Sequence, residues 1–399
     1  MQYLKRKSYL ELKKHLDKKE ISLILGPRQA GKTTLMFHLK EEIEQKSKAT
    51  CYFNLDILED RFYFSSQNKL IEKIKRIIGK KGVVFIDEIQ RLQDAGLFLK
   101  GLYDLGSQYK FIVSGSGSLE LKSNVLEPLT GRKKIIYCLP LSFEEFCANK
   151  LNIDFSQVDD YLKDEIFLKE RLIDEYFNFG GYPKVFFLEK EEEKKEALKE
   201  IYQSYLEKDI KILLGVEKDY AFDNLVKILA LSVGNLVNIN ELALNLGLNI
   251  KTIKKYLYFL EKTFIIKLVS PYFTNVRVEL KKMPKVYFLD LGLLNLVRRE
   301  VKGGGFFENA CFLRIKEKYP DEEIHFWRTK SGAEVDFVLG WGKDIVAYEI
   351  KETIKKRALG KGLISFIKKY QPKKVFLMGR KVREERFKFK ETEMRITSF

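Results

Sequence analysis

Apolar residues along this chain fall into short strand-length runs separated by stretches with helical periodicity. Ser22-Leu-Ile-Leu25, Cys51–Leu55, Val83–Ile86, Phe111–Val113 and Ile135–Tyr137 are the first such runs. A short helix over 8–18 leads in, and helix-compatible segments such as Lys69–Ile78 and Gly96–Leu105 stand between the runs. Strands alternating with helices predict a mostly parallel sheet with helices on both faces, over residues 1–140. Beyond Leu139-Pro140, Ser142 and Glu145 have the spacing of a capping box. A Lys- and Glu-rich helical lid or spacer is expected from there to 218, interrupted by Gly180-Gly181-Tyr182-Pro183.

Over 219–302 the pattern changes. A helix over Phe222–Leu231 precedes a short one capped by Asn240 and ending near Gly247, and a third over Ile250–Leu260 carries Lys251, Lys254 and Lys255 outward. Two β-rich runs, Ile265–Tyr272 and Lys285–Leu289, complete the layout of a winged helix. Gly303-Gly304-Gly305 reads as a linker into a small α/β domain over 303–399. Its expected elements are a helix over Phe306–Lys318, strands Ile324–Arg328, Ala333–Leu339 and Ile345–Lys351, a further helix, and a strand over Lys374–Met378.

Composition narrows the class. With 45% apolar and 32% charged residues among 399, the chain has an ordinary globular balance. No apolar run nears the roughly 20 residues of a membrane span, and the N-terminus lacks an apolar signal core, so a cytoplasmic protein without a membrane partner is expected. Cys51, Cys138, Cys147 and Cys311 are scattered and there are three histidines, which argues against a zinc or disulfide framework and for buried thiols. The net charge is +17, and residues 351–399 carry 16 Lys and Arg against 5 Asp and Glu. Such local charge suits a polyanion, although a solvated basic face accounts for it equally well.

The sharpest chemical signal is Gly26-Pro27-Arg28-Gln29-Ala30-Gly31-Lys32-Thr33, followed by Thr34. It fits the P-loop pattern and lies after a buried strand and before a helix, where backbone N–H groups and the helix N-terminus cradle phosphates. Lys32 is expected on the β- and γ-phosphates and the Thr33 hydroxyl on Mg²⁺. Val83-Val-Phe-Ile-Asp87-Glu88 supplies the acidic partner at the end of a second strand: Asp87 for the metal through water, Glu88 to polarise the attacking water. Ser114 or Ser116, ending the next strand, is placed to sense the γ-phosphate or to cap a helix. Arg132 is a candidate arginine finger, in cis or in trans, with a surface ion pair as the rival reading.

Gly-Pro-Arg-Gln-Ala-Gly-Lys-Thr-Thr-Leu, Phe-Ile-Asp-Glu-Ile-Gln90, Val-Ser-Gly-Ser, Leu-Thr-Gly-Arg, Leu-Pro-Leu-Ser-Phe-Glu-Glu-Phe and Gly-Gly-Tyr-Pro occur here in order. In this the chain resembles a widespread archaeal and bacterial AAA-type ATPase family over nearly its whole length. The resemblance implies an α/β protein with a P-loop AAA-type core, a helical segment, a winged helix and a C-terminal restriction-endonuclease-like domain of the PD-(D/E)XK type. It also implies ATP as the nucleotide.

Asp336, in Ala-Glu-Val-Asp-Phe-Val-Leu, and Glu349 and Lys351, two apart on one strand face, suit the hard-ligand chemistry of phosphodiester cleavage. Glu308 precedes them on a helix. By resemblance to the nuclease superfamily, Asp336 and Glu349 would bind Mg²⁺ or Mn²⁺, Lys351 would orient water, and Glu308 would assist. Glu334 with Arg328 and Lys330 as an ion-pair network is the competing reading. The expected activity is ATP hydrolysis coupled to nucleic acid, DNA above all, with cleavage by the C-terminal domain. A nucleotide-dependent regulatory switch and a homo-oligomeric branch-migration motor are the alternatives.

Overall fold

The computed structural model describes residues 3–117, 127–210, 219–272, 283–298, 303–354 and 359–399. The chain divides into two compact units, Met1–Asp219 with Tyr258–Ile265, and Tyr220–Leu257 with Ile266–Phe399.

The N-terminal unit is built on a five-stranded sheet. Its strands are β1 (Ile21–Gly26), β2 (Thr50–Asn54), β3 (Lys81–Asp87), β4 (Gln108–Ser116) and β5 (Lys133–Tyr137), in spatial order β2-β3-β4-β1-β5 and parallel throughout. The alternation of β1 explains its unbroken apolar run. Leu23 and Leu25 enter one core with Leu70, Ile74 and Leu99, while Ile24 enters the other with Leu35, Met36 and Leu39 of helix Lys32–Gln45. Each such buried side chain is worth about 1.5–3 kcal/mol, so both faces hold the sheet. A parallel sheet brings all its strand C-termini to one edge, where Gly26, Asp87 and Ser116 emerge.

Helices Phe143–Leu151, Ile166–Phe179 and Glu191–Ser204 follow; residues 211–218 of the expected helical stretch lie outside the described residues. The capping box forms as the sequence predicts, with Ser142 accepting from Glu145 N and Glu145 accepting from Ser142 N. Glu145 also receives Lys7 N at 2.7 Å and pairs with Arg6 at 3.5 Å. Leu141 N donates to Gly181 O at 2.7 Å and Tyr176 OH to Leu141 O at 2.9 Å, so the Leu-Pro-Leu-Ser and Gly-Gly-Tyr-Pro motifs are one packed structure.

The C-terminal unit begins with helices Asp219–Leu231 and Ile239–Leu246, and helix Ile250–Lys262 is shared between the two sets of residues. β6 (Ile266–Val269) and β7 (Lys285–Phe288) pair antiparallel. Asn238, not Asn240, caps the second helix, accepting from Asn240 N at 3.1 Å and Glu241 N at 3.4 Å. Tyr256 and Phe259 are buried as expected, whereas Tyr258 is exposed.

β8 (His325–Arg328), β9 (Glu334–Leu339), β10 (Val346–Ile350), β11 (Lys374–Gly379), β12 (Glu385–Phe389) and β13 (Thr392–Ser398) form a six-stranded mixed sheet, ordered β12-β13-β11-β10-β9-β8. Helix Lys361–Tyr370 covers it with Leu363, Phe366 and Ile367. The terminal hairpin β12–β13 was not expected from the sequence. Arg386 and Lys388 point outward from its edge strand, and such charges mask the apolar alternation while guarding the edge.

The expected linker at Gly303–Gly305 is instead the start of helix Gly304–Lys318. Gly305 packs so closely that a Cβ there would lie 2.4 Å from Val233 O, which makes its glycine a packing requirement. Buried Asn309 clamps this helix to β7, accepting from Phe288 N at 2.7 Å and donating to Phe288 O at 2.9 Å. Tyr287 stacks on Phe312 at 4.7 Å. Tyr220–Leu257 and Ile266–Phe399 thus pack as one compact unit across the expected boundary at 302/303. The four cysteines are buried and free, and among the described residues no helix is long and apolar enough to cross a membrane.

Candidate active site

Gly31 takes a left-handed conformation (φ 93°) that favours glycine, and helix Lys32–Gln45 starts directly after it. The helix thus presents its unpaired N–H groups and positive end to the loop from Gly26. Lys32 is buried, and its Nζ donates to Gly26 O at 3.0 Å and Pro27 O at 2.8 Å. A cavity of about 650 Å³ opens here, lined by Arg28, Lys32, Thr33, Glu88, Pro183 and Phe187 among others. Gln29, Gly31 and Thr34 also line it, and Ala30 is buried behind the loop.

Asp87 is the hub. Its Oδ2 accepts from Thr33 Oγ1 at 2.7 Å and Tyr52 OH at 2.8 Å, and its Oδ1 accepts from Ser114 Oγ and from Glu88 N at 3.1 Å. Thr33 Oγ1 and a carboxylate oxygen thus meet within reach of one hard cation, so these residues fit Mg²⁺. Ser114 acts on the carboxylate and on Glu88 N (3.3 Å); the helix it was alternatively expected to cap would lie outside the described residues.

Glu88 holds left-handed backbone (φ 59°), uncommon for a non-glycine residue and concentrated at functional sites. Burial pushes its carboxyl above the ordinary range, opposed by Lys32 and reinforced by Asp87. Its Oε2 accepts from Gln90 Nε2, and Gln90 Oε1 in turn accepts from Ser116 N at 3.2 Å.

Arg132 is not brought to this place in cis. It precedes β5, and its carbonyl accepts from Ile21 N at 2.9 Å, at the edge of the sheet where β1 begins. Its Nε pairs with Asp104 Oδ1 at 2.9 Å, the rival reading of this residue. Arg6, which the sequence analysis passed over, supports the loop instead: its buried guanidinium donates to Ala30 O at 3.1 Å and to Leu139 O. Nothing in the local sequence marks it, because its partners lie far along the chain.

In the C-terminal unit, Asp336 on β9 accepts from Ile350 N at 2.6 Å, and Lys351 Nζ lies 3.5 Å from Glu349 Oε1. Burial, with Glu308 and Glu349 adding to it, holds Asp336 well above the ordinary carboxyl range, and burial raises Glu349 against the pull of Lys351. Glu308 is otherwise engaged. Its Oε1 accepts from Lys285 Nζ at 3.0 Å and Tyr287 OH at 2.6 Å. Lys285, its side chain 2% exposed, also meets Glu334 Oε1 at 2.5 Å, and Arg328 takes Glu334 Oε2 at 3.2 Å. Burial alone would lower the Lys285 ammonium, but Glu308, Glu334 and Asp336 more than offset it. Among the described residues no three carboxylate, imidazole or thiol side chains form a group that could hold a metal ion. Lys285 thus ties Glu308 and Glu334 into an ion-pair network with Arg328.

Residues 18–147 match the AAA domain family, 170–302 a domain of unknown function (DUF8612) and 303–398 a second one (DUF4143). The sheet and loop described above lie within the residues that match the AAA domain. An uncharacterized protein of Methanocaldococcus jannaschii is 26% identical over 352 residues, spanning 85% of this chain and 77% of its own. An uncharacterized protein of Haemophilus influenzae is 27% identical over 370 residues, spanning 88% of each. Among solved structures, the Walker-type ATPase of Pyrococcus abyssi aligns with TM-score 0.45 and 13% identity over 74% of this chain and 96% of that one. The replication initiator DnaA bound to AMPPCP and single-stranded DNA aligns with TM-score 0.30 and 16% identity, over 66% and 89%.

Proposed function

We propose that this protein hydrolyses ATP with Mg²⁺ and uses the cycle to control engagement of nucleic acid by its C-terminal unit. The hydrogen bond between Thr33 and Asp87 carries the reading, because it joins the two metal-binding oxygens of separate elements beside the phosphate loop. Thr33 and, through water, Asp87 would hold Mg²⁺, which when bound neutralises phosphate charge. Lys32 and the helix N-terminus bind the phosphates. Ser114 and Tyr52 fix the Asp87 carboxylate. Glu88, which lines the cavity, polarises the attacking water. ATP, rather than GTP, rests on the match to the AAA domain.

Nucleic acid, with DNA as the proposed form, is supported by the net charge of +17 and by exposed Lys251, Lys254 and Lys255 on the third helix of what we read as a winged helix. For the C-terminal carboxylates the Lys285 pairing favours the second reading, a binding module that does not cut. Phosphate release by wild type in Mg²⁺, lost in Lys32→Ala together with nucleotide binding, tests the first part. DNA affinity that weakens steeply with salt, and further in Lys254→Ala with Lys255→Ala, tests the second.

A further inference from the structure

We infer that Gln90 is a positioning residue for hydrolysis: its side chain holds the Glu88 carboxylate by one oxygen and anchors it to the backbone at the end of β4. The inference rests on the ATPase reading and extends it to a residue that acts through Glu88. Gln90 Oε1 accepts the Ser116 N–H, a donor only, so the orientation of the amide follows without ambiguity. The Nε2 end must then face Glu88, where it donates to Oε2. Glu88 Oε1 has no hydrogen-bond partner among the described residues, which leaves that oxygen for water. The backbone of Glu88 is fixed as well, its N–H shared between Asp87 Oδ1 and Ser114 Oγ.

These contacts divide the labour. Ser114 sets where Glu88 starts, and Gln90 sets where its carboxylate ends. Without Gln90 the side chain of Glu88 regains its rotamers, and the fraction poised toward the phosphate falls. Nucleotide binding draws on Lys32, Thr33 and the loop, whereas Gln90 holds Glu88 and Ser116 N, so affinity is expected to stay as it is while turnover drops.

The test uses the full chain and four variants: Gln90→Ala, Gln90→Glu, Glu88→Gln, and Glu88→Gln combined with Gln90→Ala. Gln90→Glu keeps an acceptor for Ser116 N but sets a like charge against Glu88, so it answers the question even where Gln90→Ala folds poorly. Both single Gln90 variants are expected to lose turnover by about 10- to 100-fold, with the Kd for a fluorescent ATP analogue unchanged. In the Glu88→Gln background, Gln90→Ala is expected to lower the residual rate no further, because it acts through Glu88. Wild-type turnover in Gln90→Glu, a faster rate in Gln90→Ala, or an additive loss in the double variant overturns the inference. A wild-type chain that releases no phosphate overturns the ATPase reading itself, a result distinct from all of these.

Discussion

The P-loop site and the carboxylate cluster on β9 and β10 both put acidic residues at strand positions beside a lysine, yet they handle charge in opposite ways. At the loop Arg28, Lys32 and Glu88 line a cavity, and among the described residues Asp87 is held by neutral donors, Thr33, Tyr52, Ser114 and a backbone N–H. In the C-terminal unit the charges are spent on each other, with Lys285 buried between Glu308 and Glu334. At the phosphate loop Lys32 donates to backbone carbonyls and Asp87 accepts from neutral donors. A structural ion network closes on itself. Residue-by-residue agreement with a nuclease pattern therefore does not by itself make a nuclease centre.

Four substitutions sharpen this contrast. The largest effect is expected of Glu88→Gln, which should bind nucleotide normally but turn over about 10²- to 10⁴-fold more slowly, read by steady-state phosphate release. Lys285→Ala should follow, destabilising the C-terminal unit by about 3–5 kcal/mol in denaturant unfolding, since it strands Glu308 without a counter-charge and leaves Glu334 only Arg328. Asp336→Asn should do the reverse. The folded value of Asp336 is raised, so its contribution to stability is complete below the ordinary Asp range and is lost as pH rises through the folded value. The neutral amide, which still accepts from Ile350 N, should flatten that slope and raise the Tm at pH 7 by about 2–4 °C. Smallest of all, Arg132→Ala should leave single-chain turnover within about twofold and stability within about 1 kcal/mol, as befits its half-exposed pair with Asp104.

What could be read beforehand follows from how local each signal is. Gly26–Thr33 is contiguous, and Asp87-Glu88 ends an apolar strand, so loop and acidic pair were both legible, as was the parallel sheet that brings them together. Ser114 was found as a hydroxyl at a strand end, but its partner, Asp87, is set by strand order β3-β4. Arg132 misled because its motif says nothing of which end of β5 it occupies. Lys285 carried no signal at all: one lysine opening a short apolar strand looks like any other, and its carboxylates come from helix Gly304–Lys318 and from β9, far along the chain. Gln90 lay in plain sight within Phe-Ile-Asp-Glu-Ile-Gln, without a partner to suggest a role until Ser116 was placed beside it.

The most direct test of the account is one incubation of wild-type protein with ATP, Mg²⁺ or Mn²⁺ and double-stranded, single-stranded or branched DNA, following phosphate release and DNA integrity together. The account predicts phosphate release that Glu88→Gln slows by about 10²- to 10⁴-fold, with every DNA left intact. Metal-dependent cutting that disappears in Asp336→Ala would contradict it, because the carboxylates around Lys285 would then be a working centre after all.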